Sequence, residues 1–234
     1  MADIYRLLLR SQLTRARLLG LGSLGALCVI LGAAIGSSNP PDRLGGATRF
    51  VDIFGLTLLV PVVSLVLASS TLGDLVDDGS LVYLWLRPIA RWRIAVAAYG
   101  ASLTAVLPLV LAPIVVAAAL TGAGGAVVRG AALATAVGVA AYCAVFVGLG
   151  LRTTRSLPWG LAYILIWEGF VANASKGASR LALRAYTRSI LSQASDVALR
   201  LGNVSPGFAV GVPLAVAAVG VLYAGRRLRR MDVP

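Results

Sequence analysis

Few residues in this chain can do chemistry. It has no histidine, one lysine (Lys176) and two cysteines, Cys28 and Cys143. Without histidine, a serine–histidine hydrolase and a histidine-bearing intramembrane metalloprotease are both excluded. The cysteines have no paired spacing and lie inside apolar blocks, so they read as small buried side chains, neither a disulfide framework nor a metal site. A P-loop needs G-x-x-x-x-G-K-[ST], and Lys176, preceded by Ser175, fits no such motif. ATP hydrolysis by that route is excluded, so any ATP coupling must come from another polypeptide. Gly20-Leu-Gly-Ser-Leu-Gly25 matches G-x-G-x-x-G, but it sits in an apolar block with no strand before it. Together with Gly32-x-x-x-Gly36, it reads as small residues that let helices approach closely. Glu168, in Tyr163-Ile-Leu-Ile-Trp-Glu168, stands out as the carboxylate placed within a span. A charge there must face a partner or a wet cavity. It is a candidate for an outer gate or substrate path, with Lys176 and Arg180 as expected partners. Headgroup-level placement near the outer end is the alternative.

The elements that must position these residues are membrane spans. Of 234 residues, 59% are hydrophobic and 13% charged, and the mean hydropathy is +0.88. Ordinary soluble domains are about 25% charged. Six blocks approach the roughly 20 apolar residues that cross a hydrocarbon core. They are Leu18–Gly36, Val51–Leu72, Trp92–Leu120, Ala126–Leu151, Leu157–Asn173 and Phe208–Gly225. Pro61, Pro108, Pro113 and Pro213 should bend or locally open their helices. With the N-terminus inside, thirteen positive residues fall on the cytoplasmic side and eight outside, which the positive-inside bias favours. The net charge of +12 is therefore assigned to anionic lipid headgroups and not to nucleic acid. The N-terminal segment closes on no cleavage pattern and is expected to be kept. Residues 2–17 read as an interfacial amphipathic helix, with Arg6, Arg10 and Arg17 on one face and Ile4, Leu7 and Leu8 on another.

Between the second and third blocks lies GDLVDDGSLVYLWLRPIARW, Gly73–Trp92. Asp78 can cap a short helix over Ser80–Leu86, too short to span and apolar enough to need cover. Pro88 stops it, and Arg91, Trp92 and Arg93 anchor the next span at the headgroups. In the last outer loop, Leu183, Tyr186, Ile190, Ala194, Val197 and Leu201 recur at helical spacing between Ala178 and Leu201. Arg180, Arg184 and Arg188 form an i, i+4 row on another face. That pattern predicts amphipathic helices with arginines at lipid phosphates and an apolar face in acyl chains. A soluble cap is the alternative.

Asp77-Asp-Gly-Ser-Leu81, a short aliphatic run, and Arg87-Pro-Ile-Ala-Arg-Trp92 together resemble the second intracellular segment of type-2 ABC exporter permeases. In that family the segment contains a coupling helix that docks on the ATPase subunit. The resemblance implies docking by Asp77, Asp78, Gly79, Ser80, Leu81, Tyr83, Leu84, Trp85, Arg87, Pro88 and Arg91. The whole chain follows the family's plan of an N-terminal interfacial helix, six spans and a long last outer loop. It departs in having Ser80 where threonine is commoner, and Ala98-Tyr-Gly-Ala101 where a Gly-Lys is frequent. The expected fold is an all-α polytopic membrane protein: one permease domain over 1–234, an interfacial helix at 2–17, a coupling segment at 73–91 and an outer amphipathic segment at 174–207. The expected function is the non-enzymatic membrane subunit of an ATP-driven exporter in a bacterial inner membrane, with both termini inside. Its expected partners are an ATP-binding cassette ATPase that carries ATP and Mg, a second permease copy or related chain, and membrane lipids. This chain itself would bind no cofactor or metal. An ATP-independent secondary transporter and a membrane scaffold are the competing readings.

Overall fold

The computed structural model describes residues 2–38, 41–80, 90–153, 155–171, 179–199 and 204–231. Every element among them is helical. We number them α1 (Ala2–Gln12), α2 (Arg15–Ser37), α3 (Arg43–Asp77), α4 (Arg91–Leu120), α5 (Gly125–Gly150), α6 (Ser156–Val171), α7 (Leu183–Ser195) and α8 (Pro206–Arg230). Two of these change winding along their length. Val51–Leu59 of α3 and Tyr163–Val171 of α6 are π-helical.

Among the described residues, five helices, α2, α3, α4, α5 and α8, are long and apolar enough to cross a membrane. The fifth block, Leu157–Asn173, gives α6, whose α and π parts contribute 7 and 9 residues. These described residues are fewer than the roughly 20 needed to span, and residues 172–178 lie outside the described residues. Exposed Ile30, Leu165, Ile166, Phe170, Phe208 and Val219 give the bundle an apolar exterior. Such an exterior suits lipid as the solvent, where helices alone satisfy their backbones.

Local sequence sets the helix ends. Asp42 caps α3 by accepting from the Gly45 amide at 2.8 Å. This starts the helix eight residues before the apolar block Val51–Leu72 begins. Gly122 and Gly124 take positive φ, 69° and 99°, in the turn between α4 and α5, where a side chain would be strained. Pro206 opens α8 after an extended Ser205, a position where a missing N–H costs nothing. The π segment of α3 ends two residues before Pro61, whose ring cannot donate into the preceding turn. Pro108, Pro113 and Pro213 lie inside helices that continue through them.

α3 and α5 form the centre. In each, 61% of the most apolar window is buried, against 22% for α2 and α8. α5 packs against α3, α4, α7 and α8. In lipid, helices associate through close packing and polar contacts. Both kinds are present. Thr71 and Ser102 share a buried hydroxyl bond of 2.7 Å between α3 and α4. The Tyr99 hydroxyl of α4 donates to the Ala140 carbonyl of α5 at 3.1 Å. Each such bond contributes about 0.6–2 kcal/mol. A Cβ on Gly32 would lie 2.7 Å from Ala117, and one on Gly25 3.2 Å from Pro113, so these glycines let α2 close on α4. Gly36 meets Leu120 the same way, whereas Gly20 and Gly22 face open space. Cys28 and Cys143 are buried free thiols, as their apolar surroundings predict.

One end of the bundle, here called the base, gathers the start of α2 and the end of α8. Arg17 pairs with Asp74 at 2.9 Å and reaches Ser70 at 3.0 Å. Arg91 donates to the carbonyls of Leu228, Arg229 and Met231 at 2.9, 3.1 and 3.3 Å. An arginine in this position satisfies the last carbonyls of a helix and complements its dipole. Arg155, Ser156, Leu157 and Pro158 share a cleft with Arg17 and Asp74, so α6 also starts at the base.

The N-terminal helix runs to Gln12, shorter than the expected 2–17. It buries Ile4 and Leu8 against the bundle and leaves Leu7 exposed. Its Tyr5 hydroxyl donates to Thr104 of α4 at 2.7 Å.

Candidate functional site

The polar interior of the bundle is assembled around α7. Leu183 through Leu191 are all buried, including Arg184 and Arg188, each 8% exposed. This corrects the expectation that Arg184 and Arg188 sit at lipid phosphates. The helix is not laid on the bundle surface; it is inserted among α3, α5 and α8. Arg180 is exposed and precedes the helix, so the three arginines do not form one helical row. The periodic pattern that suggested a surface helix has apolar and charged faces that are both covered, one by side-chain packing and one by counter-charges.

Close approach to α5 makes the insertion possible. A Cβ on Gly130 would lie 2.7 Å from the Ala194 Cβ, and one on Gly138 3.1 Å from the Thr187 Cγ2. The two helices therefore run antiparallel, and continuing the register sets Arg184 beside Tyr142. Tyr142 stands 17 residues into α5, which at 1.5 Å per residue is about 25 Å along the helix. At the other end, α7 closes with Asp196 in the left-handed conformation, φ 57°. Ser189 and Gln193 then bind the Val204 carbonyl at 2.8 and 2.5 Å, tying the helix to the chain that enters α8.

Two carboxylates meet the arginines. Arg188 Nε donates to Asp52 Oδ1 at 2.5 Å, with both side chains largely buried. Glu168, 2% exposed, accepts the Tyr142 hydroxyl at Oε2 and the Tyr163 hydroxyl at Oε1, the latter at 3.1 Å. Arg184 stands close enough to feel the charges of Asp52, Glu168 and Arg188. An arginine stays protonated even when buried. Two positive and two negative groups thus make a compact set whose charges cancel. Phe146 walls it, stacking on Tyr142 at 5.9 Å and meeting Tyr163 edge-on at 6.3 Å.

Both carboxylates lie in π-helical segments, where residues five apart share a face. That winding turns Tyr163 towards Glu168. It also lets the Thr57 hydroxyl donate to the Asp52 carbonyl at 2.8 Å, a contact five residues apart.

The placement of Glu168 is interior, not at the headgroups. Of its expected partners, Arg180 is exposed and does not reach it, and Lys176 lies outside the described residues. Tyrosines take that role. Glu168 is also not alone as a buried carboxylate. Asp52 lies nine residues into α3, a depth that a span starting at Val51 conceals. The sequence signal for it was available in the short polar stretch Arg43–Phe50, whose Gly45, Ala47 and Thr48 are buried helix.

At the base, Asp77, Asp78 and Gly79 are exposed, and Asp78 closes α3. The Ser80 hydroxyl makes a long 3.5 Å contact to the Leu75 carbonyl. Leu81, Tyr83, Leu84, Trp85, Arg87 and Pro88 lie outside the described residues. Arg91, expected in the docking set, binds the end of α8 within the chain. Among the described residues no cluster of metal-ligating side chains occurs.

Chemically, the interior set offers charge pairing and hydroxyl donors but no activated nucleophile. It can hold α7 across three helices at once: α3 through Asp52, α5 through Tyr142, and α6 through Glu168 and Tyr163. No protein-family model and no curated protein matches the sequence.

Proposed function

We propose that this chain is the permease subunit of an ATP-driven ABC exporter of the type-2 class, with six spans in the assembled state and both termini in the cytoplasm. The observation that supports the reading is the position of the two flanks of the segment that resembles a coupling helix. Its flanks, Asp74–Ser80 and Arg91, stand at the base beside the start of α2 and the end of α8. An ATPase that acts on both α3 and α4 through the residues between these flanks would have to dock at the base. The buried set of Asp52, Arg188, Arg184 and Glu168 is the latch that holds α7 closed over the path. ATPase dimerisation would push the segment and shift the spans between two states. The α1 helix would lie at the cytoplasmic interface.

The test is co-purification of the chain with its ATPase. Tyr83→Ala and Trp85→Ala should weaken association by about 2 kcal/mol or more, as central aromatics do in interfaces. Recovery of an intact complex with unchanged substrate-stimulated ATP hydrolysis in both variants would defeat the proposal.

The buried charges favour a second reading from another class. An ATP-independent secondary transporter also places charged groups inside the membrane beside irregular helices, and α3 and α6 carry both features. Transport by this chain alone in liposomes, driven by an ion gradient without any ATPase, would establish that reading over the first.

A further inference from the structure

A cleft of about 380 Å³ opens between α5, α6 and α8, and shares Phe146 and Tyr163 with the wall of the buried charge set. Its walls are apolar, with Val216, Val219 and Tyr223 on one side and Trp159 on another. Its volume is in the range of small-molecule sites. Arg152 lines one end, is exposed, and makes no charge pair among the described residues.

The packing of α8 on α5 shows what lies at that end. A Cβ on Gly220 would touch Ala144 at 3.0 Å, and one on Gly148 would touch the Tyr223 ring at 3.3 Å. The helices therefore run parallel, with Ala144 beside Gly220 and Gly148 beside Tyr223. One more turn sets Arg152 level with the exposed Arg226 and Arg227. Both apolar stripes end in arginine at the same level, at the base. The slot is apolar over its length and cationic at its mouth.

We propose that this cleft binds an anionic phospholipid from the leaflet at the base, with one acyl chain against Val219 and Tyr223 and the phosphate at Arg152. Charge complementarity selects this occupant. A neutral lipid would leave Arg152 without a counter-ion, and a soluble anion would leave the apolar walls uncovered. Trp159, 64% exposed at the rim, suits the headgroup level, where indole is favoured. The inference requires only that the chain lies in a bilayer, so it stands or falls separately from the exporter reading.

Trp159 also supplies the probe. With Trp85, Trp92 and Trp167 replaced by Phe, its fluorescence reports bromine-labelled acyl chains in the cleft. The full chain is reconstituted in phosphatidylcholine vesicles containing equal fractions of either brominated phosphatidylglycerol or brominated phosphatidylcholine. One arginine at the headgroup predicts about fivefold tighter association of the anionic lipid. Arg152→Gln should bring that ratio close to one, and Val219→Phe, which fills the slot, should also remove it. Helical circular dichroism verifies folding of each variant. Equal quenching by both lipids in the parent would overturn the proposal. A preference that survives Arg152→Gln or Val219→Phe would overturn it as well.

Discussion

Breaking the Asp52–Arg188 pair is the sharpest test of how α7 is held. Both side chains are about nine-tenths buried, so removing either partner takes a close counter-charge from the other. Arg188→Met leaves Asp52 unpaired in the interior, and Asp52→Asn leaves Arg188 without its carboxylate. Losing one partner of a buried pair costs about 3–5 kcal/mol. Arg184 feels the charge of Asp52 and can take over part of it, which places Arg188→Met at the lower end of that range. With about 2–4 °C of melting temperature per kcal/mol in a chain of this size, each single variant should melt about 10 °C lower. The double variant, Asp52→Asn with Arg188→Met, removes both charges and should recover much of the loss, because replacing a buried pair whole is often near neutral. The assay is built into the protein. Cys28 and Cys143 are 1% and 0% exposed, so a thiol-reactive fluorogenic dye labels them only on unfolding in detergent. The expected coupling energy from the double-mutant cycle is about 4 kcal/mol or more. Single-variant losses that simply add, within about 0.5 kcal/mol, would refute the pairing as the latch.

Three further outcomes follow from named contacts. Glu168→Gln keeps the shape but offers one acceptor oxygen to two tyrosine hydroxyls, so it should cost about 1.5–3 kcal/mol by the same thiol assay; if the latch gates a path, transport in liposomes should fall while yield holds, and wild-type transport would remove Glu168 from the mechanism. Gly138→Val crowds Thr187 and Val60 together and should destabilise by about 1–3 kcal/mol, whereas Gly22→Val, which faces open space, should cost well under that. Arg91→Ala removes the donor to the Leu228 and Arg229 carbonyls, and hydrogen exchange at the end of α8 should quicken while the centre of α5 stays protected.

The long apolar helices were legible because lipid imposes a length and a composition that few other environments demand. Five of the six blocks formed helices able to cross, and the glycine spacing at Gly25, Gly32 and Gly36 correctly marked close packing. The polar interior was not legible, for a definite reason. A periodic helix with arginines on one face reads the same whether that face meets lipid phosphates or buried carboxylates. Only Asp52 and Glu168, on separate helices distant in sequence, distinguish the two cases. Asp52 was hidden by a second effect, since hydropathy places the start of a span at its first aliphatic residue. The cap at Asp42 starts it earlier, and Arg43–Phe50 became the outer turns of the same helix. The π segments leave no periodic trace at all, because one widened turn shifts the phase of every residue after it.

That widened turn links the two ends of the chain's chemistry. α3 carries Asp52 in its π segment and Asp74 at the base, 22 residues later, about 33 Å along the helix. Between them lie Val60–Gly73, almost wholly buried against α4 and α5, so this stretch cannot bend independently of the core. A displacement of the segment after Asp77 would therefore be carried by α3 as a rigid body to the π turn. The π turn is where the backbone can absorb it, since i to i+5 winding readily reverts to i to i+4. Such a reversion rotates every side chain on the preceding side by about 100°. Asp52 would swing away from Arg188, and the charge stranded on each side would drive α7 out of the bundle. A helix that was α throughout would have to move whole to break the same pair. Under the exporter proposal, the Asp52–Arg188 contact and the irregular winding beside it would act together, giving the closed state a short route to opening.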